Sequence, residues 1–200
     1  MSFLSTAFTP PWSRLTPDRV EPDITAALAD AQAKFDAIAA QDPARLTYDS
    51  VLGAFDEAAA TLDRAWTRVQ HLDSVCNAPA LRAAQNAMLP RVTDFYTRIY
   101  LSEGLWKVIQ AYAATAGARA LTGARRRLLE ETLEDFRDSG AELPPESKKE
   151  LERLNTEISA VTQKFSENVL DATNAWELVV ADESRLAGLP ESARAAARQS

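Results

Sequence analysis

Two hundred residues with 29 acids against 22 bases give a formal net charge of −7. That balance excludes a general nucleic-acid binder, because phosphate-backbone affinity comes from clustered Lys and Arg. The chain is 46% hydrophobic with only 6 glycines, much of the apolar part being Ala, which favours helices over a sandwich or barrel. A chain of this size buries roughly 70% of its unfolded surface, so a core forms without staples. Cys76 is the single cysteine, so no intrachain disulfide can form. The opening MSFLSTAFTPPW has no basic n-region and is interrupted by Pro10-Pro11, unlike a signal peptide. No stretch reaches the roughly 18 consecutive apolar residues of a membrane-spanning helix. The expectation is a cytoplasmic protein that engages neither membrane nor nucleic acid.

In chain order, residues 1–15 read as an irregular arm whose Phe3, Leu4, Phe8, Trp12 and Leu15 lie across a core built by other elements. Thr16-Pro17-Asp18 is a helix-start signal, and Pro22 predicts a short turn before the main helix. Ile24, Leu28, Ala31, Phe35 and Ile38 then keep helical spacing until Asp42-Pro43. Thr47 caps a second helix, with a stripe from Val51 to Val75 that includes Phe55, Leu62, Trp66, Val69 and Leu72. A third runs from Pro79 to about Tyr100, with a kink expected at Pro90. Ser102 caps a continuation that Gly117 ends, and Thr122 opens a helix to about Ser139 with Gly140 just beyond it.

Pro144-Pro145 starts a long helix over 144–173. Leu151, Leu154, Ile158, Val161, Phe165 and Val169 or Leu170 form one narrow apolar stripe, expected to pack against a hairpin partner. Trp176, Leu178 and Val180 alternate with their neighbours and predict a strand over 175–181, whose partner is either a weaker strand elsewhere in the chain or one beyond Ser200. A last helix over 190–200 reaches Ser200 without a cap signal and reads as truncated. The whole is predicted to be mainly α, with antiparallel long helices and helical hairpins and the one short strand. The domain reading is a single region over 1–200, with arm 1–15, helical bundle 16–140, long helix 144–173, strand 175–181 and truncated helix 190–200.

Chemistry is sparse. His71 is the only histidine, and His71 and Cys76 are poorly spaced as metal ligands, so His71 reads as a partly buried helix residue and Cys76, on an apolar helix phase, as a small buried filler. Arg125-Arg126-Arg127 followed by Glu130, Glu131, Glu134 and Asp135 reads as a solvated face of ion pairs, with Asp138 continuing it. Trp12, Trp66, Trp106 and Trp176 read as core anchors. No His-Glu-x-x-His, P-loop, dinucleotide fingerprint or nucleophile elbow is present. No position is assigned a catalytic, cofactor-binding or metal-binding role.

The text DFRDSGAELPPESKKELERLNTEIS and QKFSENVLDATNAWEL within 135–178 resembles the N-terminal region of the oligopeptidase A branch of the thimet-oligopeptidase family of zinc metallopeptidases. Phrases at 10–24, 62–90 and 183–197 resemble it in the same order. The resemblance implies half of a helical clamshell around a channel in which short peptides are cleaved. It also implies zinc held by a His-Glu-x-x-His helix and a later Glu that have no counterpart in this chain. This region would wall the channel and limit substrate size, and alone would be inactive. A face meant for the missing half, near the 175–181 strand edge, would favour self-association. The alternative is a stand-alone helical binding or scaffold module, distinguished by whether the reading frame continues past Ser200 to a His-Glu-x-x-His.

Overall fold

The computed structural model describes residues 2–198, which are mainly helical. They form two compact units, the first ending at Gln163 and the second starting at Lys164.

The first unit is built on α1, Val20–Ala39. Pro17 opens a single 3-10 turn, Pro17–Arg19, and the helix follows directly with Pro22 in its first turn. Ile24, Ala27, Ala31, Phe35 and Ile38 are buried along one stripe. The two alanines on it allow close approach of neighbouring helices. Thr47 and Ser50 cap the next element reciprocally, each side-chain oxygen accepting the other's backbone N–H at 3.1 Å. The expected single helix is broken into a wide π-type turn over Asp49–Gly53, α2 (Ala54–Ala58) and α3 (Ala60–Val75). A π-type turn takes in an extra residue, which a search for one 3.6-residue period does not register.

Helix α4, Pro79–Leu101, runs through Pro90. Ser102 accepts the Leu105 N–H at 3.3 Å and starts α5, Glu103–Ala113. The stop predicted at Gly117 is wrong. α5 ends at Ala113, and Gly117 lies inside a short α6, Ala116–Arg119, whose N-terminus is capped by Thr115 accepting from Ala118 N at 3.1 Å. The Thr115 hydroxyl supplies a helix start that outweighs the poor helix propensity of glycine two residues later.

Helix α7, Gly123–Asp138, ends as the sequence predicts. Gly140 has φ +93°, its N–H donates to Arg137 O at 2.9 Å, and Ala141 N donates to Phe136 O at 2.9 Å. This double bond pattern is a Schellman cap, closed by the buried Phe136 and Ala141. A Cβ on Gly140 would meet Leu143 Cδ1 at 2.7 Å and Leu151 Cδ2 at 2.9 Å. Gly140→Ala is therefore expected to lower stability by about 1–2 kcal/mol, chiefly from the positive φ, as read by urea denaturation.

The arm is pinned by backbone bonds as well as by packing. Phe3 is fully buried, its N–H donates to Asp23 Oδ2 at 2.6 Å, and Arg68 donates to Phe3 O at 2.8 Å and Ser5 O at 2.6 Å. Leu15 is buried too, but Phe8 stands free in solvent.

Helix α8, Pro145–Ala175, has the predicted start and runs two residues beyond the predicted end. Its expected packing face is wrong. Asn155, Ser159 and Gln163 face α4 instead, bonding to Thr97 at 3.3 Å, Thr93 at 2.8 Å and Gln85 at 3.3 Å. Leu154, Ile158 and Val161 are 39%, 61% and 69% exposed. Positions 155, 159 and 163 share a face one step round from the apolar stripe. A hydrogen-bonding face of this kind is invisible to a reading weighted by hydrophobicity.

In the second unit the strand over 175–181 is not formed. No strand occurs among the described residues, α8 continues to Ala175, and residues 176–182 have no regular structure. Trp176, Leu178 and Val179 are largely exposed. Alternation sets which side chains share a face, but a strand exists only where its N–H and C=O groups find a ladder partner. Asp182 accepts the Ser184 N–H at 3.0 Å to open a 3-10 turn over Glu183–Leu186, and α9 follows at Glu191–Ala197. The rest of the helix predicted over 190–200 includes Gln199 and Ser200, which lie outside the described residues.

Candidate functional site

A cleft lined by several acids and two tyrosines lies in the first unit, where four stretches meet. Phe55, Ala59 and Asp63 recur every fourth residue along α2 and α3. Tyr96 and Tyr100 share one face of α4, and Leu128, Thr132 and Asp135 share one face of α7. Phe35 of α1 and Asp56 of α2 complete a cavity of about 200 Å³. The small Ala59 leaves room between Phe55 and Asp63. A second cavity, of about 340 Å³, shares Tyr96 and Tyr100 and adds Asp138, Ser139, Leu151 and Asn155. The two tyrosines thus stand between two hollows.

Tyr96 donates its hydroxyl to Asp63 Oδ1 in a short hydrogen bond. Burial first, then the bond to Asp63 and its charge, pushes the Tyr96 phenol above the ordinary range. Burial followed by the charges of Asp135 and Asp63 raises Tyr100 in the same direction. The folded state therefore holds these protons more tightly than the unfolded chain. The stability this contributes is complete below the unfolded phenol value of about 10 and is lost as pH climbs through the raised values. Thermal melts by circular dichroism should accordingly show stability falling above about pH 10, with a shallower fall in Tyr96→Phe.

The residues singled out in the sequence for their chemistry do not gather here, with two exceptions. Asp135, read as part of a solvated face, lines the first cavity, and Asp138 lines the second. Arg126 and Arg127 pair with Glu130 and Glu131 at 2.6 and 2.7 Å, while Arg125 lies 4.5 Å over the Tyr48 ring. His71 is exposed rather than partly buried, with Trp12 stacked obliquely at 5.1 Å. Cys76 is exposed too, because α3 ends at Val75 and carries it past the packed face. Trp66 and Trp106 are core anchors as expected, whereas Trp12 is 39% and Trp176 72% exposed. Tyr96 and Tyr100 were hidden in the sequence among apolar positions of α4. Their spacing of four, facing acids on two other helices, becomes a signal only once the helices are placed.

Among the described residues no three His, Cys, Asp or Glu side chains converge in a way that could hold a metal ion. The residues present therefore do not fit a zinc site. Among the same residues, no helix is long and apolar enough to cross a membrane.

Fold and cleft together define an all-helical module whose polar chemistry lies in a cleft between packed helices. Residues 24–149 match the family described as the neurolysin/thimet oligopeptidase N-terminal domain. The chain is 35% identical to "Oligopeptidase A" of Escherichia coli over 94% of its own length and 28% of that protein's. It is 35% identical to "Oligopeptidase A" of Salmonella typhimurium over 98% of its length and 29% of that protein's. "Probable cytosolic oligopeptidase A" of Arabidopsis thaliana is 29% identical over 92% of the chain. This chain belongs to the neurolysin/thimet oligopeptidase N-terminal domain family. It spans less than a third of the length of the curated relatives it matches.

Proposed function

We propose that this chain is the N-terminal, non-catalytic region of a longer, zinc-dependent, cytoplasmic oligopeptidase that hydrolyses short peptides. The carrying observation is the colinear 35% identity to a named oligopeptidase across 94% of the chain, a match that takes up only 28% of that relative. In this reading the zinc ligands and the general base belong to the remainder of the parent. The packed helices of the first unit serve as rigid wall, which admits unfolded short peptides and keeps folded proteins out. Rigid helices are suited to such a size filter, because it works by geometry and asks for no reactive group.

The test is direct. The purified chain should bind no stoichiometric zinc by elemental analysis and should leave a quenched fluorescent peptide uncut. The same chain extended by the downstream parent sequence should bind zinc and cut the peptide. Stoichiometric zinc with chelator-sensitive hydrolysis by the 200 residues alone would overturn the reading.

The exposed Leu154, Ile158 and Val161 also support self-association of the isolated chain, by way of α8 instead of a strand edge. Sedimentation velocity should show mass rising with concentration, and Ile158→Glu should restore the monomer. A strictly monomeric chain at high concentration counts against it.

A further inference from the structure

Two buried charges in the first unit grip a backbone. Asp23 stands on α1 and Arg68 on α3, and they are 3% and 6% exposed. Both hold main chain of the N-terminal arm. Asp23 Oδ2 accepts the Phe3 N–H at 2.6 Å, and Arg68 Nη1 donates to Phe3 O at 2.8 Å and Ser5 O at 2.6 Å. Three charge-assisted bonds thus read one N–H and two C=O groups, which any non-proline peptide carries. Burying a charge is costly, and here part of that cost is offset by peptide groups that belong to no helix. The side chain that goes in with them is the Phe3 ring, which is fully buried.

The gripped segment brings its own shape. The Ser5 N–H donates to Ser2 O at 3.2 Å, closing a four-residue turn with Phe3 in its second position. Ser2 Oγ accepts the Leu4 N–H at 3.1 Å, and Ser5 Oγ accepts the Ala7 N–H at 3.2 Å. A serine that bonds two residues ahead favours a turn through local chemistry alone, so the segment is partly organised before it docks. Residues 6–9 are exposed and form no helix, a solvent-facing tether between this turn and the helices. Asp23 also holds the Arg19 guanidinium at 2.7 Å, so departure of the turn does not strand this carboxylate.

We propose that Asp23 and Arg68 form a binding site for a serine-flanked turn with an aromatic residue in second position, which the chain's own arm fills in cis and a separate segment of the same chemistry fills in trans. The arm is then a removable plug. A ligand on a short tether has an effective concentration in the millimolar range, so a separate segment enters where the plug is weakened. The site lies wholly within the first unit and calls on neither zinc nor hydrolysis. It therefore goes beyond the peptidase reading and is tested apart from it.

The probe is the blocked hexapeptide acetyl-Ser-Phe-Leu-Ser-Thr-Ala-amide, added to the full chain carrying Phe3→Ala, whose own turn has lost its ring. The peptide should raise the thermal midpoint of that variant saturably, with heteronuclear NMR shifts centred on Asp23, Arg68 and their helical neighbours. Wild type should need at least tenfold more peptide for the same shifts, because its own turn competes. The peptide with alanine for phenylalanine should bind at least tenfold more weakly. So should the ester analogue in which oxygen replaces the phenylalanine N–H, which keeps the ring and removes the donor to Asp23. A merely apolar patch would bind ester and amide alike. Phe3→Leu keeps more of the buried volume and guards against unfolding of Phe3→Ala; the peptides should rank in the same order on it. The proposal is overturned by equal binding of the ester or the alanine peptide, by wild type binding as tightly as Phe3→Ala, by shifts centred away from Asp23 and Arg68, or by no binding to either variant.

Discussion

Phe136→Ala is expected to lower the stability of the chain by about 3–5 kcal/mol, the largest single loss anticipated in the first unit. The ring is fully buried and central to the aromatic cluster. Trp106 stacks on it at 5.7 Å with an interplanar angle of 11°, Tyr100 lies at 5.1 Å and Phe55 at 5.6 Å. These neighbours sit on three different helices, so no one of them can move into the void without disturbing the others. Removing the ring also removes the apolar contact that closes the Schellman cap at Gly140. For a chain of this length the thermal midpoint should fall by roughly 6–20 °C. Phe8→Ala is the control: its ring is free in solvent and the change should stay within about 0.5 kcal/mol. A loss below about 1 kcal/mol for Phe136→Ala, measured by urea denaturation, would contradict the closed packing around this ring.

The elements that the sequence makes legible are those specified by local chemistry. Pro17, Ser102, Pro145 and Gly140 each act within one helical turn, and each start or stop lies where the sequence puts it. The misses share the opposite property. The 175–181 segment alternates correctly but depends on a ladder partner that composition cannot supply. The α8 stripe is genuinely amphipathic, yet the face that meets α4 in the first unit is the one able to hydrogen-bond to Thr93 and Thr97. Gly117 reads as a stop by residue type alone, while the Thr115 hydroxyl two residues before it decides the local structure. The cleft failed to show for a related reason. Asp63, Tyr96 and Asp135 lie on three helices and share no spacing, and read singly each is an ordinary helix-surface residue. The family text was legible because it is a colinear pattern over nearly the whole chain, which needs no tertiary contact to be read.

Asp23→Ala should release the N-terminal arm, with a loss of about 2–4 kcal/mol. The carboxylate is 3% exposed and serves two donors at once, the Phe3 N–H at 2.6 Å and the Arg19 guanidinium at 2.7 Å. Alanine leaves the Phe3 N–H inside the protein without an acceptor, and an orphaned buried donor is more damaging than the net worth of the bond it lost. Arg68 holds the same strand of arm from the other side through the Phe3 and Ser5 carbonyls, across 65 and 63 residues of sequence. Burial, and then the charge of Arg64, lowers the Arg68 guanidinium pKa, while its Nη1 donates to both carbonyls. The arm is therefore clamped by a carboxylate on its N–H side and a guanidinium on its C=O side, with the Phe3 ring as the wedge between them. Such a clamp should fail as a unit. Phe3→Ala alone is expected to lower stability by about 3–4 kcal/mol. Combined with Asp23→Ala the loss should fall short of the sum by more than about 1 kcal/mol, since either change frees the segment that the other would weaken. Asp23→Asn should lie between wild type and Asp23→Ala, because one amide oxygen can still accept the Phe3 N–H while the amide nitrogen no longer accepts from Arg19. Amide exchange supplies the local readout: protection of the Phe3 N–H should drop to that of a frayed terminus in Asp23→Ala, while the amides of α4 and α5 exchange only as fast as the global stability loss requires. Full additivity of Phe3→Ala and Asp23→Ala would mean that ring and carboxylate act separately and that no clamp exists.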